Sequence, residues 1–309
     1  MKIFVVGGTG AIGRPSVRAL VDEGHAVMAL ARTAVRAAEL ERTGATPVQV
    51  SMFDVLALAK AMAGCDVVVN LASAMPQAWQ FIRLAAWRET QRVRTEGSAA
   101  VVDAALRAGV ATLLQESVTM LYADQGDAWI DEDAVVDRYP MAAGNHSAEA
   151  SAHRFTAAGH TGVVLRFGFF YGPGARHSEQ FLALARRHVV PLIGRPHSYV
   201  SSIHVDDGGR AVAAALRAPA GVLNVVDDEP LTKREYADAL AAASGNRPWL
   251  RGPGRAAHVL GHRMTSLARS VRASNQRIRQ RAGWKPVYPS ARQGWLATAA
   301  AIEAARTNP

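Results

Sequence analysis

The stretch that decides the fold lies near the amino terminus and reads Ile3-Phe4-Val5-Val6-Gly7-Gly8-Thr9-Gly10-Ala11-Ile12-Gly13. It opens with an apolar run typical of a buried strand and is followed by a predicted helix over residues 14–23. Three glycines, Gly7, Gly10 and Gly13, lie between the two elements at regular spacing. Glycines here allow a tight turn and let a pyrophosphate approach the backbone, where the helix amides meet its charge. We predict that this loop binds a dinucleotide, the alternative being a turn that only packs the helix on the sheet.

The end of the second predicted strand indicates which dinucleotide is bound. An acidic residue about 20 positions after the glycines accepts a hydrogen bond from the ribose 2′-hydroxyl of NAD. The corresponding segment, residues 29–33, contains no acidic residue. Arg32, helped by Arg36, can instead pair with a 2′-phosphate, which guanidinium groups bind through two hydrogen bonds. The sequence thus predicts NADP (NADPH) in preference to NAD, with a solvated surface charge as the alternative role of Arg32.

Apolar β-type runs alternate with alanine-rich helical stretches through the first half of the chain. Such alternation predicts an α/β fold, a doubly wound parallel Rossmann sheet with helices on both faces. Glycines and prolines break up the second half, which is expected to form a smaller C-terminal substrate lobe, interleaved with the sheet because a late strand returns to it. We expect the dinucleotide-binding domain to span residues 1–172, with 200–226 returning to it, and the substrate lobe to span 173–199 and 227–309. Strands are predicted at residues 26–31, 67–70, 112–116, 162–167 and 222–226, and long helices at 94–108 and 144–158.

Composition bounds the class of protein. The chain has 309 residues, is 49% hydrophobic and carries 35 basic against 26 acidic residues, a net charge of +9 that attracts anions. Cys65 is its single cysteine, which excludes an internal disulfide framework and suits a reducing compartment. The first apolar run is too short for a signal peptide, and no run approaches a membrane span. We expect a cytoplasmic protein that acts on a small molecule, and its arginine- and alanine-rich composition, which indicates G- and C-rich codons, favours a bacterial source.

Further motifs follow the glycine loop in a fixed order along the chain: Asp54-Val55, Asn70-Leu71-Ala72, Leu165-Arg166-Phe167, Tyr171-Gly172-Pro173-Gly174, Ile203-His204-Val205-Asp206-Asp207 and Ala282-Gly283-Trp284-Lys285-Pro286. This series resembles the extended or atypical short-chain dehydrogenase/reductase family, the NAD(P)-dependent epimerases and dehydratases. The resemblance covers nearly the whole chain. It implies that Asp54 and Val55 contact the adenine and that Leu71 and Ala72 lie beneath the cofactor.

The catalytic elements depart from that family's pattern. The family carries Tyr-x-x-x-Lys on a helix, where the lysine holds the nicotinamide ribose and lowers the tyrosine pKa. Here the residues four before a lysine are Leu56, Glu229 and Arg281, and Lys2 has none. Placing Glu149 on the glutamate that follows the family's lysine puts Met141 at the tyrosine position and Asn145 at the lysine position. Likewise, residues 116–122 resemble the family's Ser-Ser-x-x-Val-Tyr segment but put Val118 at its hydroxyl-bearing position.

Replacement proton donors must then come from nearby hydroxyl or imidazole groups. The candidates are Ser117, Thr119, Tyr139 and His146, with Tyr171 a further hydroxyl. Asn145 is expected to hydrogen-bond the ribose hydroxyls without bringing a charge. The alternatives are that Tyr139 packs at a helix entry and that His146 is an exposed helix residue.

Two charged segments resemble functional sites, but a structural role explains each of them more simply. His204-Val205-Asp206-Asp207 precedes a predicted helix, whose free amides the aspartates would cap, and supplies too few ligands for a metal site; we predict no metal. The arginines within residues 251–281 lack aromatic interleaving or a nucleic-acid motif, so we predict a solvated basic face or an anionic ligand and no nucleic acid.

A homodimer through the helices near residues 94 and 148 is expected by analogy only.

Three functions remain open from the sequence. The first is an NADP-dependent oxidoreductase, reductase- or epimerase-like, acting on a small carbonyl-type substrate with non-standard proton donors. The second is a non-redox isomerase, cyclase or dehydratase on the same fold, which the missing acid motivates. The third is a binding protein that senses the dinucleotide. We favour them in that order.

Overall fold

The computed structural model describes residues 1–76, 83–254 and 265–307. Its strands are β1 (Lys2–Val6), β2 (Ala26–Leu30), β3 (Thr46–Val48), β4 (Val67–Asn70), β5 (Thr112–Val118), β6 (Trp129–Ile130), β7 (Thr161–Phe167), β8 (Phe169–Tyr171), β9 (Val189–Ile193), β10 (Tyr199–Val200), β11 (Ser202–His204), β12 (Gly221–Val225), β13 (Leu231–Thr232), β14 (Leu250–Gly254) and β15 (Arg272–Ala273). Its α-helices are α1 (Gly13–Asp22), α2 (Ala34–Arg42), α3 (Val55–Met62), α4 (Arg88–Arg92), α5 (Ser98–Arg107), α6 (Ala143–Ala157), α7 (Arg176–Ala185), α8 (Val205–Ala214), α9 (Lys233–Ser244), α10 (Thr265–Ala268), α11 (Gln276–Ala282) and α12 (Ala291–Thr307). Tighter 3-10 turns lie at Leu84–Trp87, Thr119–Leu121, Pro140–Ala142 and Ala215–Arg217, and a wider π-helical turn lies at Val93–Gly97.

A seven-stranded parallel sheet organises the molecule. Its strand order is β3-β2-β1-β4-β5-β7-β12. The chain therefore winds outward in one direction from β1 and in the other from β4, which confirms the predicted doubly wound α/β fold. The predicted late strand is β12, which pairs with β7 along its whole length. The second half of the chain thus returns to the first sheet.

The central strands are buried on both faces, as their continuous apolar runs predict. Ile3 and Val5 of β1 face a core that includes apolar residues of α1, α2 and α8. Phe4 and Val6 face the opposite core, which is built with α3, α5 and α6. The alternation of side chains along a strand thus divides one apolar run between two layers of helices.

The helix predicted over residues 94–108 is interrupted in the structure. Its first residues lie in the π-helical turn Val93–Gly97, and regular helix begins only at Ser98. Gly97 lies directly against the terminal methyl of the Met52 side chain, which would have to move for a larger residue. The wide turn places Arg94 in the interior, only 4% exposed. Turns of this kind are frequent at functional sites.

Helices α7, α9 and α12, with strands β8, β9 and β13, form a second, smaller layer around buried aromatic side chains. Tyr171, Tyr236 and Trp295 pack together with apolar residues of α7 and α9, and the rings of Tyr171 and Trp295 lie 5.3 Å apart. The described strands outside the main sheet pair in twos, β8 with β11, β9 with β14, β10 with β13 and β6 with β15. Within the described ranges, no helix combines the length and apolar character needed to cross a membrane.

Candidate active site

The glycine loop lies at the carboxyl end of β1, beside the carboxyl end of β4. These are the neighbouring strands from which the chain winds in opposite directions, and ligands of such sheets bind in the crevice between them. Gly7 has a φ of +87°, and a Cβ atom on it would lie 2.7 Å from the carbonyl carbon and oxygen of Leu71. A Cβ on Gly13 would overlap the carbonyl oxygen of Gly7. Both positions therefore require glycine for the loop to close against β4.

The rest of the loop leaves backbone donors at the start of α1. Gly10 donates to the Gly7 oxygen over 3.0 Å and is exposed, while Thr9 and Ala11 are half-buried. Ile12 packs into the core, and no side chain caps the helix. Among the described residues, the amides of Ala11 and Ile12 have no hydrogen-bond acceptor. Free amides at a helix start suit a pyrophosphate.

Arg32 lies just beyond β2, where the sequence predicts a 2′-phosphate contact. Its side chain is exposed and pairs with no group in the described ranges. Arg36, its predicted helper, instead donates to Glu39 over 2.8 Å, and Arg14 pairs with the same carboxylate. Burial acts to raise the pKa of Glu39, but the hydrogen bonds from Arg14 and Arg36 outweigh it and hold this pKa below its usual value. Arg32 is therefore the cation of this group that is available to a ligand.

Asp54, the predicted adenine contact, caps helix α3. Its Oδ1 atom accepts hydrogen bonds from the amides of Leu56 and Ala57 at 3.1 and 3.0 Å. Asp54 is exposed and the following Val55 is half-buried. Because both capping bonds use the same oxygen, the second carboxylate oxygen stays available.

The end of β4 forms the floor between the glycine loop and β5. Leu71 is buried and its amide donates to the Val6 oxygen over 2.8 Å. The amide of Ala72 donates to Oδ1 of Asn70 over 3.2 Å, and Nδ2 of Asn70 donates to Gln115 on β5 over 2.9 Å. Leu71 and Ala72 are thus fixed beside Gly7, as the family resemblance implies for residues beneath a cofactor.

Asn145 lies in the first turn of α6, at the position where the family has lysine. It is 4% exposed, and its Nδ2 atom has no hydrogen-bond partner among the described residues. Leaving a buried amide donor unsatisfied costs about 1–3 kcal/mol. A ribose hydroxyl would satisfy it, so Asn145, with the loop and Arg32, fits a nicotinamide dinucleotide.

Ser117, a candidate proton donor, belongs to a buried charged network. Its hydroxyl donates to Oε1 of Glu149 over 2.6 Å. Arg166 on β7 holds the same carboxylate through two hydrogen bonds, both 2.8 Å long. The Arg166 guanidinium also lies 4.9 Å from the centre of the Tyr122 ring, and burial raises the pKa of Tyr122 to about 12. The network joins β5, α6 and β7, and it turns Ser117 away from solvent.

The other candidate donors are spread over the segments that border α6 and are not brought together as a cluster. The Tyr139 hydroxyl donates to the Met120 oxygen over 2.9 Å, and Arg269 lies 4.6 Å from its ring centre. His146 shares a hydrogen bond of 3.0 Å with the Asp137 oxygen. Thr119 is buried in the turn after β5, and its hydroxyl bonds to no described residue. Tyr171 lies in the aromatic core of the second layer, with its hydroxyl on Asp227.

Two residues that sequence analysis missed lie at the same edge. Arg94 from the π-helical turn and Glu116 from β5 form an ion pair of 2.8 Å, in which both side chains are almost fully buried. Burial raises the pKa of Glu116, and the nearby Arg94 charge opposes that rise. The signal in the sequence was a glutamate at the end of the strand predicted at residues 112–116, since a carboxylate buried in a central strand needs a partner.

The segment His204–Asp207 has a structural role. His204 caps α8 by accepting from the Asp206 amide over 3.3 Å. Buried Asp207 accepts from the amides of Val287 and Tyr288 at 2.6 and 2.9 Å, and its carbonyl accepts from Trp284. It thereby ties the closing Gly-Trp-Lys-Pro motif to α8. No group of three or more metal-ligating side chains is found among the described residues.

An arginine-rich segment and a surface groove lie apart from the crevice. Of the arginine-rich residues 251–281, residues 255–264 lie outside the described residues, and Arg269, Arg277 and Arg279 form ion pairs with acidic neighbours. A groove of about 630 Å³ is lined by Trp129, Asp131, Asp228, Ala273, Ser274, Asn275, Gln276 and Arg279. None of these lining residues comes from the loops that form the crevice.

Comparison with known proteins agrees with this geometry. The sequence profile of the NAD dependent epimerase/dehydratase family matches residues 3–226. The chain therefore belongs to this family, whose members bind nicotinamide dinucleotides, and it is an enzyme. It departs from the family's usual Tyr-x-x-x-Lys pair, as the sequence shows.

Several relatives are similar along almost their whole length. A 3-diazoavenalumate denitrifying reductase from a Streptomyces species is 36% identical over 310 residues, covering 95% of this chain and 99% of the relative. A 4-hydroxy-2-methyl-3-oxo-4-farnesyl-3,4-dihydroquinoline-1-oxide ketoreductase from Stigmatella aurantiaca is 28% identical, covering 88% and 82%. Among solved structures, the human epimerase family protein SDR39U1 with NADPH has a TM-score of 0.82 at 23% identity and covers 97% of this chain and 99% of that one. A Thermus thermophilus UDP-glucose 4-epimerase with NAD has a TM-score of 0.81 at 24% identity, covering 99% and 100%. The relatives named as reductases support an oxidoreductase- or epimerase-like activity.

Proposed function

We propose that the protein is an NADPH-dependent reductase that removes a diazo group from a small aromatic substrate and releases dinitrogen. The main support is that neither of the two positions where a carbonyl reductase of this family needs a proton donor holds one. Met141 and Val118 occupy these positions, and the hydroxyl of Ser117 is committed to Glu149. The similarity to a denitrifying reductase suggests a reaction that needs no such acid.

Proton balance separates the two kinds of substrate. Reduction of a ketone to an alcohol consumes a hydride and a proton, and a positioned acid typically contributes about 10²–10⁴-fold to such a step. An arenediazonium ion consumes only a hydride: the carbon–nitrogen bond breaks, a carbon–hydrogen bond forms, and dinitrogen leaves. The cation becomes a neutral arene while NADPH, which supplies the hydride, becomes NADP⁺. Charge and atoms balance without a proton from the enzyme.

The chain's own residues then have positioning roles. The glycine loop and the start of α1 receive the pyrophosphate, Arg32 the 2′-phosphate and Asn145 the nicotinamide ribose. Asp54 and Val55 border the adenine. Residues 173–199 and 227–309 supply contacts to the substrate. NADPH is preferred over NADH because Arg32 pairs with no described residue and no acid follows β2.

A ketone reductase is the second candidate, favoured by Thr119, whose hydroxyl bonds to no described residue. The test compares a hydroxyarenediazonium ion with the matching hydroxyaryl ketone, following NADPH absorbance with wild type and Thr119→Val. We expect turnover of the diazonium ion that Thr119→Val leaves within about twofold, because no proton is required from position 119. Ketone turnover that Thr119→Val abolishes, with no diazonium turnover, would instead establish the second candidate. Gly13→Ala, whose loop cannot close against Gly7, controls for direct reduction by free NADPH.

A homodimer and a cytoplasmic location stay predictions beside this function. The outer faces of α5 and α6 are bridged within one chain by Arg154 and Asp103, whose exposed side chains lie 2.6 Å apart. Light scattering of the purified protein would give the mass that decides the oligomeric state.

A further inference from the structure

The ion pair between Arg94 and Glu116 is built with part of its hydrogen-bonding capacity unused. Nη2 of Arg94 donates to both carboxylate oxygens, at 2.8 and 3.2 Å, and to the Ser73 hydroxyl at 3.3 Å. The two side chains are 4% and 3% exposed. Nε of Arg94 is buried and has no partner among the described residues. The guanidinium is thus held in place by one nitrogen while another buried donor is left open.

The π-helical turn that carries Arg94 packs against α6, whose first turn carries Asn145. The two segments meet at Gly144, where a Cβ atom would lie 3.0 Å from Cβ of Arg94 and 2.7 Å from Oε1 of Gln91. A Cβ here would press on Cβ of Arg94, so glycine lets α6 lie close against the π-helical turn. These two adjoining segments therefore each carry an almost fully buried donor, Nε of Arg94 and Nδ2 of Asn145, that no described group satisfies.

Their place along the crevice indicates the ligand. Arg94 reaches Ser73, which directly follows the floor residues 71–72, and Glu116, near the carboxyl end of β5. The pyrophosphate loop lies on the other side of that floor, against Leu71. The part of a dinucleotide that continues past the pyrophosphate, toward β5, is the nicotinamide ribose. Its hydroxyls accept hydrogen bonds from buried donors of this kind.

Energetics argue against a purely stabilising role for the pair. A buried ion pair is weak evidence for stability, since apolar residues of similar volume often replace it without loss. Each unsatisfied buried donor adds a desolvation penalty that a ligand would relieve. Such an arrangement is expected where a bound ligand accepts hydrogen bonds from the open donors.

We propose that Arg94 and Asn145 together bind the hydroxyls of the nicotinamide ribose, with Glu116 as a positioning residue that aims Arg94. This inference rests on the proposed function, because it needs a dinucleotide in the crevice. Arg94 supplies the positive charge at the ribose that the absent lysine would otherwise bring. An arginine stays protonated and cannot exchange protons, so it restores ribose binding without restoring an acid. That suits a reaction that consumes no proton.

The test separates the two halves of the cofactor. NADPH contains the nicotinamide ribose, whereas adenosine 2′,5′-bisphosphate contains only the adenine end. The affinities of both ligands are measured by calorimetry for wild type, Asn145→Ala and the double variant Arg94→Met/Glu116→Met. The double variant removes both charges together, because Arg94→Met alone would leave Glu116 buried and unpaired. Arg92→Gln is the matched control, since Arg92 lies two positions earlier, is exposed and pairs with Glu96.

We expect the double variant and Asn145→Ala to bind NADPH about tenfold to a hundredfold more weakly. Their affinity for adenosine 2′,5′-bisphosphate should stay within about twofold of wild type, and Arg92→Gln should change neither. Unchanged NADPH affinity in both variants would overturn the inference and leave the proposed function standing. An equal loss for both ligands, with a lowered melting temperature, would also overturn it, because Arg94 would then be only structural. A wild-type protein that binds neither ligand would overturn the proposed function itself.

Discussion

Replacing Arg32 with alanine tests how the protein distinguishes NADPH from NADH. Arg32 is exposed and has no partner in the described ranges, so its loss should change stability by no more than about 0.5 kcal/mol. A charge-assisted bond to the 2′-phosphate contributes about 1.5–3 kcal/mol, which corresponds to about 10- to 150-fold in NADPH affinity. Arg14 and Arg36 should not compensate, because both are held by Glu39.

The assay is a fluorescence titration with NADPH and, separately, with NADH at one fixed ionic strength, since salt screens exposed charges. Affinity for NADH should stay unchanged in Arg32→Ala. Arg18→Ala is the control, because Arg18 is an exposed arginine of α1, and it should alter neither affinity by more than about twofold. An equal loss of affinity for both dinucleotides, or unchanged NADPH binding in Arg32→Ala, would show that Arg32 does not contact the 2′-phosphate.

Three further predictions concern the buried charges. Glu149→Gln leaves the Arg166 charge without its carboxylate and should lower the free energy of unfolding by about 3–5 kcal/mol in urea denaturation; a loss under about 1 kcal/mol would contradict a buried pair. Ser117→Ala removes one donor to that carboxylate and should cost about 1 kcal/mol with kcat unchanged, whereas a large fall in kcat would make Ser117 catalytic. Burial lowers the pKa of Lys233 from 10.5 to about 8. The unfolded chain therefore binds more protons between these values, and stability should rise by roughly 3 kcal/mol from pH 8 to 10.5, a rise that Lys233→Met should lack.

Much of the fold follows from local sequence patterns. The strand predicted at residues 67–70 has the same bounds in the structure, and the late strand returns to the sheet as expected. Both predictions rest on apolar runs whose burial on two faces leaves few alternatives. The helix predicted from residue 94 fails at its start, because apolar periodicity does not reveal the extra residue per turn that forms Val93–Gly97.

Residues of the candidate site could be predicted from the sequence only where one continuous segment contains the whole motif. The glycine loop and Arg32 are short-range features, since strand, turn and helix adjoin in sequence. Ser117 shows the opposite case: its hydroxyl is visible in the sequence, but its bond to Glu149 depends on how β5 packs against α6. The same holds for Arg94 and Glu116, which only the sheet and the π-helical turn bring together. Pairings across distant segments are set by tertiary packing, which the residues of neither segment reveal alone.

The most direct test of the proposed reaction is its stoichiometry. Purified protein and limiting NADPH are mixed with a hydroxyarenediazonium ion in a sealed vessel, and NADPH consumed and dinitrogen released are both measured after subtracting the rate without protein. We expect one dinitrogen for each NADPH oxidised, with the arene as product, because the substrate takes up only a hydride. Dinitrogen release without NADPH oxidation, or NADPH oxidation without dinitrogen, would contradict the proposed reaction.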